Sequence, residues 1–216
     1  VNEEKSFGDT TQETLDRYGE ALLVVAAKTI RNSLSKQAPM RIKLASFPRE
    51  LQANGACFVT LNKKGKLRGC IGSIEAWRPL VTDVADNACK AAFQDTRFDK
   101  LSSQELAETD ISLHISVLSP KTPMSFSSEE DLITQLRPGL DGLVLIEGKQ
   151  RGVFLPVVWD ALPEPLTFLR QLKRKAGLSE DHWSDSVQVF RFVTRGISSE
   201  TIPTGADLWQ TKRKLE

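Results

Sequence analysis

This chain of 216 residues has few of the side chains that most often build metal and cofactor sites. It contains three cysteines and two histidines, with no Cys-x-x-Cys pair. Zinc ribbons, zinc fingers and the closely spaced cysteine triplet of an iron–sulfur cluster are therefore excluded. A metal site would have to be assembled from distant carboxylates, and we predict none. No glycine-rich nucleotide-binding fingerprint is present, so we predict no cofactor.

The chain also lacks an excess of charge and a long apolar run. Its formal net charge is +1, which gives no global field to attract nucleic acid or an anionic membrane and argues against RNA as a partner. No run of apolar residues is long enough to span a membrane, and no secretory leader stands at the start. An odd number of cysteines suits a reducing compartment. We therefore expect a cytoplasmic protein without membrane contact.

The most informative stretch is Leu67-Arg68-Gly69-Cys70-Ile71-Gly72, in which a cysteine lies between two glycines and near an arginine. Gly69 and Gly72 keep side chains out of the way, so that backbone N–H groups and the sulfur could approach a ligand closely. Arg68 or Arg97, if near the sulfur, would favour the thiolate, which is the nucleophilic form of cysteine. Cys70 is therefore the candidate nucleophile, with Arg68, Gly69 and Gly72 as candidate substrate-binding residues. The alternative is a small buried cysteine beside two turn glycines.

Four further residues carry chemistry that such a thiol would use. Asp95 and Arg97, in Asp95-Thr96-Arg97-Phe98, either bind substrate or tie their own loop down by a charge-assisted hydrogen bond. Arg151 would bind a carboxylate or phosphate if it faced the same groove, and would otherwise be an exposed hairpin residue without a binding role. His114 is a candidate base for Cys70, although it points away from the apolar face of its strand and such histidines are more often surface residues.

The spacing of apolar residues predicts helices mixed with short hairpins. Helices are expected over about 15–30, 79–94, 128–136 and 166–176, with a short one beginning near 102, and strands over 56–61, 66–73, 111–117, 142–146, 152–155 and 187–193. The hairpins do not alternate regularly with helices. We therefore predict an α+β fold of two lobes, with mainly antiparallel sheets flanked by helices.

The register of the first hairpin decides which residue lies opposite Cys70. The sequence Asn62-Lys63-Lys64-Gly65 fits a type I turn, with asparagine first and glycine fourth. If Gly65 takes a left-handed bulge position, Phe58 lies opposite Cys70, whereas a four-residue loop places Cys57 there.

These stretches resemble the AMME syndrome candidate gene 1 family, called protein A of the AmmeMemoRadiSam system in bacteria and archaea. The resemblance is carried by Leu67 to Gly72, Ala91-Ala92-Phe93, Asp95 to Phe98, Ile115 to Ser119, Asp141-Gly142-Leu143, Arg151 to Pro156, Phe168-Leu169 and Lys175 to Leu178. The family motif matches this sequence at Arg68, Gly69, Cys70, Ile71, Gly72, Asp95, Arg97 and Arg151. We expect one family domain over 13–195, followed by an extended C-terminal tail over 196–216.

The resemblance implies a two-lobed α+β fold with Cys70 near a groove between the lobes, and Memo-class and radical SAM proteins as partners. The leading hypothesis is an enzyme that uses Cys70 as nucleophile or covalent carrier, with backbone amides of the motif stabilising developing negative charge. Its substrate would be an unknown small molecule or a modified macromolecule. The alternative is a non-catalytic binding or scaffold module that recognises a protein partner or RNA through the same groove.

Overall fold

The computed structural model describes residues 3–36, 40–107, 110–203 and 208–209, and these contain six α-helices and two four-stranded antiparallel sheets. The helices are α1 (Glu3–Lys36), α2 (Arg49–Gln52), α3 (Leu80–Phe93), α4 (Ser103–Ala107), α5 (Glu129–Gln135) and α6 (Pro165–Lys175). The strands are β1 (Cys57–Lys63), β2 (Lys66–Gly72), β3 (Ile111–Leu118), β4 (Thr122–Pro123), β5 (Gly142–Glu147), β6 (Gln150–Phe154), β7 (Gln188–Phe192) and β8 (Thr194–Ser198). Short 3-10 helices occupy Leu44–Ser46 and Pro156–Asp160. The predicted α+β class with mainly antiparallel sheets is confirmed.

The chain divides into two compact units. The larger unit comprises residues 9–118 and 195–216, and the smaller unit comprises residues 1–8 and 119–194. This division agrees with the predicted two lobes. The predicted groove between the lobes remains a prediction.

The larger unit is built on a sheet with strand order β2-β1-β3-β8. Side chains alternate between buried and half-buried along β1 and β3, because successive residues of a strand point to opposite faces of the sheet. The buried face, with Val59 and Leu113 fully buried, joins one apolar core with residues of α1 and α3 such as Leu22 and Val84. The opposite face of the sheet carries the polar residues of the same strands.

The smaller unit is built on a sheet with strand order β4-β7-β5-β6, against which α6 packs. Its core includes Trp159 stacked on Phe168, with ring centroids 3.7 Å apart. Lys173 is fully buried beside this core, and its ammonium donates to Glu129 at 2.6 Å. Ser128 caps α5 by accepting a hydrogen bond from the Asp131 backbone N–H, which satisfies one of the unpaired donors at that helix start.

Two of the strands, β4 and β8, were not among the predicted elements, and α1 begins well before the first apolar residue of its predicted stripe. β8 covers residues 194–198 and therefore crosses the predicted start of the tail at 196. Leu208 is buried, and the Trp209 indole N–H donates to the Ile111 carbonyl at 2.7 Å. The remaining predicted tail, residues 204–207 and 210–216, lies outside the described residues. The division at 195 stays a prediction.

Candidate functional site

Cys70 lies on β2, the edge strand that is joined to β1 by a tight hairpin. The turn consists of Lys64 and Gly65, with φ values of 51° and 72°, so both central residues are left-handed, as a type I′ turn requires. The strands pair with Lys63 opposite Lys66, and Thr60 lies opposite Cys70. Both predicted registers are therefore wrong, as is the type I turn. The type I′ turn is favoured over the type I turn because its twist matches the right-handed twist of the flanking strands.

A β-bulge follows this turn and fixes the register of the Cys70 motif. Asn62 pairs with Leu67, whereas Leu61 pairs with Gly69, so Arg68 is the extra residue on β2. A bulge bends the edge strand and redirects the side chains next to it. The bulge shifts the pairing by one residue, so that Thr60 rather than Val59 lies opposite Cys70.

The Cys70 side chain lies on the polar face of the sheet, where a threonine on the next strand contacts it. The Thr60 hydroxyl donates a hydrogen bond to Cys70 Sγ at 3.2 Å. Thr60 is half-buried between the fully buried Val59 and the buried Leu61, which point to the core face. This contact fixes the position of the sulfur on the polar face of the sheet.

Asp95 and Arg97 together hold the backbone of Cys70 at the open edge of the sheet. The Cys70 N–H donates to Asp95 Oδ2 at 2.8 Å, and the Cys70 carbonyl accepts from Arg97 Nη2 at 3.3 Å. The two side chains are joined to each other, with Arg97 Nη2 and Nε donating to the Asp95 carboxylate at 2.7 and 2.9 Å. This pair satisfies the donor and the acceptor that an edge strand leaves unpaired.

The same contacts set the charge state of the pair. Hydrogen bonds from the Arg97 guanidinium first, and from the Cys70 and Arg97 backbone N–H groups, hold the pKa of Asp95 well below its usual range. The hydrogen bond to Asp95 likewise raises the pKa of Arg97, and the negative charge of a Cys70 thiolate adds to that rise. Arg97 therefore stays cationic, and its side chain is 56% exposed beside the strand that carries the thiol.

Arg68 is occupied by a carboxylate that the sequence reasoning did not single out. Its Nε and Nη2 donate to the two oxygens of Glu105 at 2.7 and 2.9 Å, and Nη2 also donates to the Asp99 carbonyl at 2.8 Å. These hydrogen bonds lower the pKa of Glu105. Arg68 therefore does not act on the Cys70 sulfur as an unpaired cation.

Arg68 and Arg97 line one open depression of about 620 Å³ on the larger unit. The Phe98 ring lies between them, with the two guanidinium carbons 5.9 and 5.5 Å from its centroid. Lys100 is a third cation of the lining, which also includes Asp99 and Glu105. Cys70 is not part of the lining, but Arg97 contacts both the depression and the Cys70 carbonyl.

Comparison with known proteins identifies the family. The AMMECR1 family model matches residues 23–197. This chain belongs to the AMMECR1 family. A protein from Methanothermobacter thermautotrophicus is 36% identical over 180 residues, which cover 81% of this chain and 90% of the relative. A protein from Thermotoga maritima is 40% identical over 153 residues, covering 68% of this chain and 80% of the relative.

The fold of the AMMECR1 family member described above is also similar to a solved structure. The crystal structure of an uncharacterized protein from Pyrococcus horikoshii matches with a TM-score of 0.71 and 28% sequence identity. The match covers 84% of this chain and 91% of that protein. All predicted site residues, from Arg68 to Arg151, lie within the segment matched by the AMMECR1 model.

The glycines of the motif have packing roles in this AMMECR1 domain. A Cβ at Gly69 would lie 2.2 Å from the backbone carbonyl oxygen of Ala91 in α3, and a Cβ at Gly72 would lie 2.2 Å from the Phe58 ring. Gly69 thus allows α3 to approach β2, and Phe58 covers Gly72 across the strand pair. The structure gives each glycine a packing reason, and the prediction that they make room for a substrate stays untested.

His114 and Cys70 lie on the same face of the sheet, but two strands apart. Thr60 lies opposite both residues, with Cys70 on β2 and His114 on β3, so their Cα atoms are separated by about two strand spacings, or roughly 10 Å. The His114 ring extends toward Gly196, where a Cβ would lie 2.6 Å from Nε2, and its Nδ1 is 3.3 Å from Ser116 Oγ. Burial lowers the pKa of His114, opposed in part by Glu200. The structure does not place His114 within hydrogen-bonding distance of the thiol.

Arg151 is placed in a different unit from the other predicted site residues. It lies on β6 opposite Ile146 and is exposed, with Gly152 after it packing closely against the Leu172 carbonyl of α6. The residues that contact Cys70 all lie in the larger unit, whereas Arg151 lies in the smaller unit. Its predicted role in substrate binding is therefore not tested by the contacts of Cys70. It remains a prediction.

The sequence reasoning missed a buried polar network around Cys57. Asp83 on α3 is fully buried and accepts from the Cys57 N–H at 2.9 Å, from Ser73 Oγ at 2.8 Å and from Arg78 Nε at 2.7 Å. Asn87, one turn later, donates to Asp83 and to the Cys57 carbonyl. Burial raises the pKa of the Cys57 thiol well above its usual value. Two polar residues spaced by four on the otherwise apolar, buried face of α3 were the available signal.

The described residues offer no metal site of the usual kind. Within 3–36, 40–107, 110–203 and 208–209, no three histidine, cysteine, aspartate or glutamate side chains are grouped so as to hold a metal ion. No helix in the same part of the chain combines the length and apolar character that crossing a membrane requires.

Proposed function

We propose that this AMMECR1 protein is an enzyme in which Cys70 acts as a nucleophile or covalent carrier. The proposal rests on one observation: the Thr60 hydroxyl donates to Cys70 Sγ at 3.2 Å while both backbone polar groups of Cys70 are held by Asp95 and Arg97. A thiol that is fixed in this way loses little conformational freedom when it attacks an electrophilic carbon.

Arg97 has a second role in this proposal, which is to favour an anionic substrate. Its guanidinium is charged, more than half exposed and in contact with the residue that carries the thiol. With Arg68 and Lys100 it contributes three cations to one depression, against the carboxylates of Asp99 and Glu105. We infer that a carboxylate or phosphate of the substrate binds there by charge-assisted hydrogen bonds.

The backbone amide of Cys70 itself does not stabilise negative charge on the substrate in this scheme, because it donates to Asp95. The role predicted for the backbone amides of the motif therefore does not include the amide of Cys70. Thr60 is the only described residue hydrogen-bonded to Sγ, so the thiol proton leaves to solvent or to the substrate. Memo-class and radical SAM partners are proposed from the family resemblance alone.

The second candidate function is recognition without catalysis by the same polar face of the sheet. It is favoured by the pairing of Arg68 with Glu105 and of Arg97 with Asp95, which leaves neither guanidinium without a carboxylate. In that case Cys70 is a small residue that fits beneath a bound protein segment, and serine in its place is tolerated.

Alkylation of the three cysteines of the folded protein by iodoacetamide, followed by peptide mass spectrometry between pH 5 and 10, tests the proposal. Cys89, which is half-buried and lies 3.5 Å from Ser33 Oγ, is the internal control. We expect Cys70 to react about tenfold faster than Cys89 at pH 7, and Thr60→Val to remove most of that advantage while Thr60→Ser keeps it. Equal rates for Cys70 and Cys89 across the range would refute the nucleophile and leave recognition as the function.

A further inference from the structure

A separate cleft of about 640 Å³ opens on the larger unit between the second half of α1 and α4. None of the residues that contact Cys70 lines it. Ser103 and Leu106 of α4 face this cleft, whereas Ser102 and Glu105 face the depression beside Arg68. Its volume is in the range of sites that enclose a small molecule.

One side of the cleft is apolar and includes an anchored aromatic ring. Leu34, Met40 and Leu106 line it together with Trp209. The Trp209 indole N–H donates to the Ile111 carbonyl at 2.7 Å, which fixes the ring against the start of β3. A rigid ring held by its polar end presents apolar surface at little cost in conformational entropy.

The other side of the cleft is cationic. Lys28 and Arg31 are three residues apart on α1 and therefore lie on one face of the helix, where like charges repel. Burial, and then the charge of Arg31, lowers the pKa of Lys28. Among the residues that the structure describes, Lys28 forms no ion pair with a carboxylate, and the cleft lining contains neither aspartate nor glutamate.

We propose that this cleft binds an amphiphilic anion, that is, a carboxylate or phosphate group on an apolar body. The anionic group would lie against Lys28, where it would offset the repulsion between Lys28 and Arg31. The apolar body would lie against Met40 and Trp209. Nothing in this proposal depends on the reactivity of Cys70, so it stands or falls separately from the proposed enzyme.

The two methionines of the chain allow a direct test, because one lines the cleft and the other lies in the smaller unit. The protein is labelled with methyl-carbon-13 methionine and titrated with octanoate below its micellar concentration, while both methyl resonances are followed by NMR. We expect the Met40 resonance to shift saturably and the Met124 resonance to stay in place. A Met40 resonance that does not move, or one that moves together with Met124, would overturn the proposal.

Charge specificity is tested with Lys28→Gln and with the matched control Lys149→Gln, an exposed lysine of the smaller unit. We expect Lys28→Gln to weaken octanoate binding about tenfold, since it removes one charge-assisted contact, and Lys149→Gln to have no effect. Lys28→Arg should retain binding, which separates loss of charge from loss of folding. Octan-1-ol, which lacks the charge, should bind to the unchanged protein more weakly than octanoate does. Its affinity should be the same for Lys28→Gln and Lys149→Gln. Equal binding of octanoate and octan-1-ol contradicts an anion site.

Discussion

At the scale of single residues, the candidate site is defined by how completely its polar atoms are paired. Asp95 accepts hydrogen bonds from Cys70 and Arg97, and Glu105 neutralises Arg68. The sequence showed the arginines and the aspartate but gave no sign of which carboxylate each guanidinium would bind. Glu105 is 37 residues from Arg68 along the chain, and such a pairing depends on tertiary contacts alone.

Asp95→Asn should lower the free energy of unfolding at neutral pH. It should also make that free energy less dependent on pH in the acid range. Because the pKa of Asp95 is depressed in the folded state, the carboxylate stabilises the fold above the ordinary carboxyl pKa of about 3.9, and this contribution is lost as the pH falls toward the depressed value. Urea unfolding should therefore separate the two proteins clearly at pH 7 and less at pH 3. Asp99→Asn, at an exposed carboxylate of the same loop, serves as the control. A constant difference at both pH values would mean that the charge of Asp95 does not stabilise the fold.

At the scale of elements, the hairpin β1–β2 and the helix α3 form the framework of the site. α3 packs against both strands, and its close approach depends on the absence of a side chain at Gly69. The helix itself was predictable from its apolar stripe, which includes Val84 and Ala88. The hairpin was predictable too, but its register was not, because two adjacent lysines and a glycine are compatible with several turns.

Gly69→Ala should destabilise the protein by more than about 1–3 kcal/mol, the usual cost of overpacking, because its Cβ would meet a backbone oxygen that cannot rotate away. Gly65→Ala in the same hairpin is the matched control. Its Cβ would meet open space, and only the left-handed φ of 72° is strained, which costs about 1 kcal/mol. Urea unfolding followed by circular dichroism measures both. If the two variants cost the same, α3 does not press on β2 as described.

At the scale of the whole molecule, two units with separate cores are formed by one chain that crosses between them. The sheet of the larger unit ends at β8, an edge strand that follows the smaller unit in sequence. β8 contains Gly196 and a single apolar side chain, Ile197, so its pairing with β3 was not predictable from local pattern. The buried network of Asp83, Asn87 and Cys57 lies in the larger unit and joins α3 to the start of β1.

Alkylation of Cys57 should report opening of the larger unit. Its side chain is fully buried and burial raises its pKa, so in the native protein it reacts only through open forms. We expect negligible labelling in buffer and a steep rise with urea, whereas Cys89 should label without denaturant. Asp83→Asn removes the charge that pairs with Arg78 and should speed Cys57 labelling, while Asp86→Asn, at a more exposed carboxylate bound to the same arginine, should do so much less. Rapid labelling of Cys57 in the unchanged protein would contradict the buried network.

The sequence by itself determined the fold class, most of the helices and strands, and the stretch that holds Cys70, because these depend on local periodicity and on residues adjacent in the chain. It also carried the family resemblance, since several motifs occur in the right order. Only the tertiary structure decided that Thr60 contacts Cys70, that Asp95 and Arg97 hold its backbone, and that Arg68 is paired with Glu105. The physical reason is that these contacts depend on a one-residue shift in strand register and on loops that meet only after α3 has packed on the sheet.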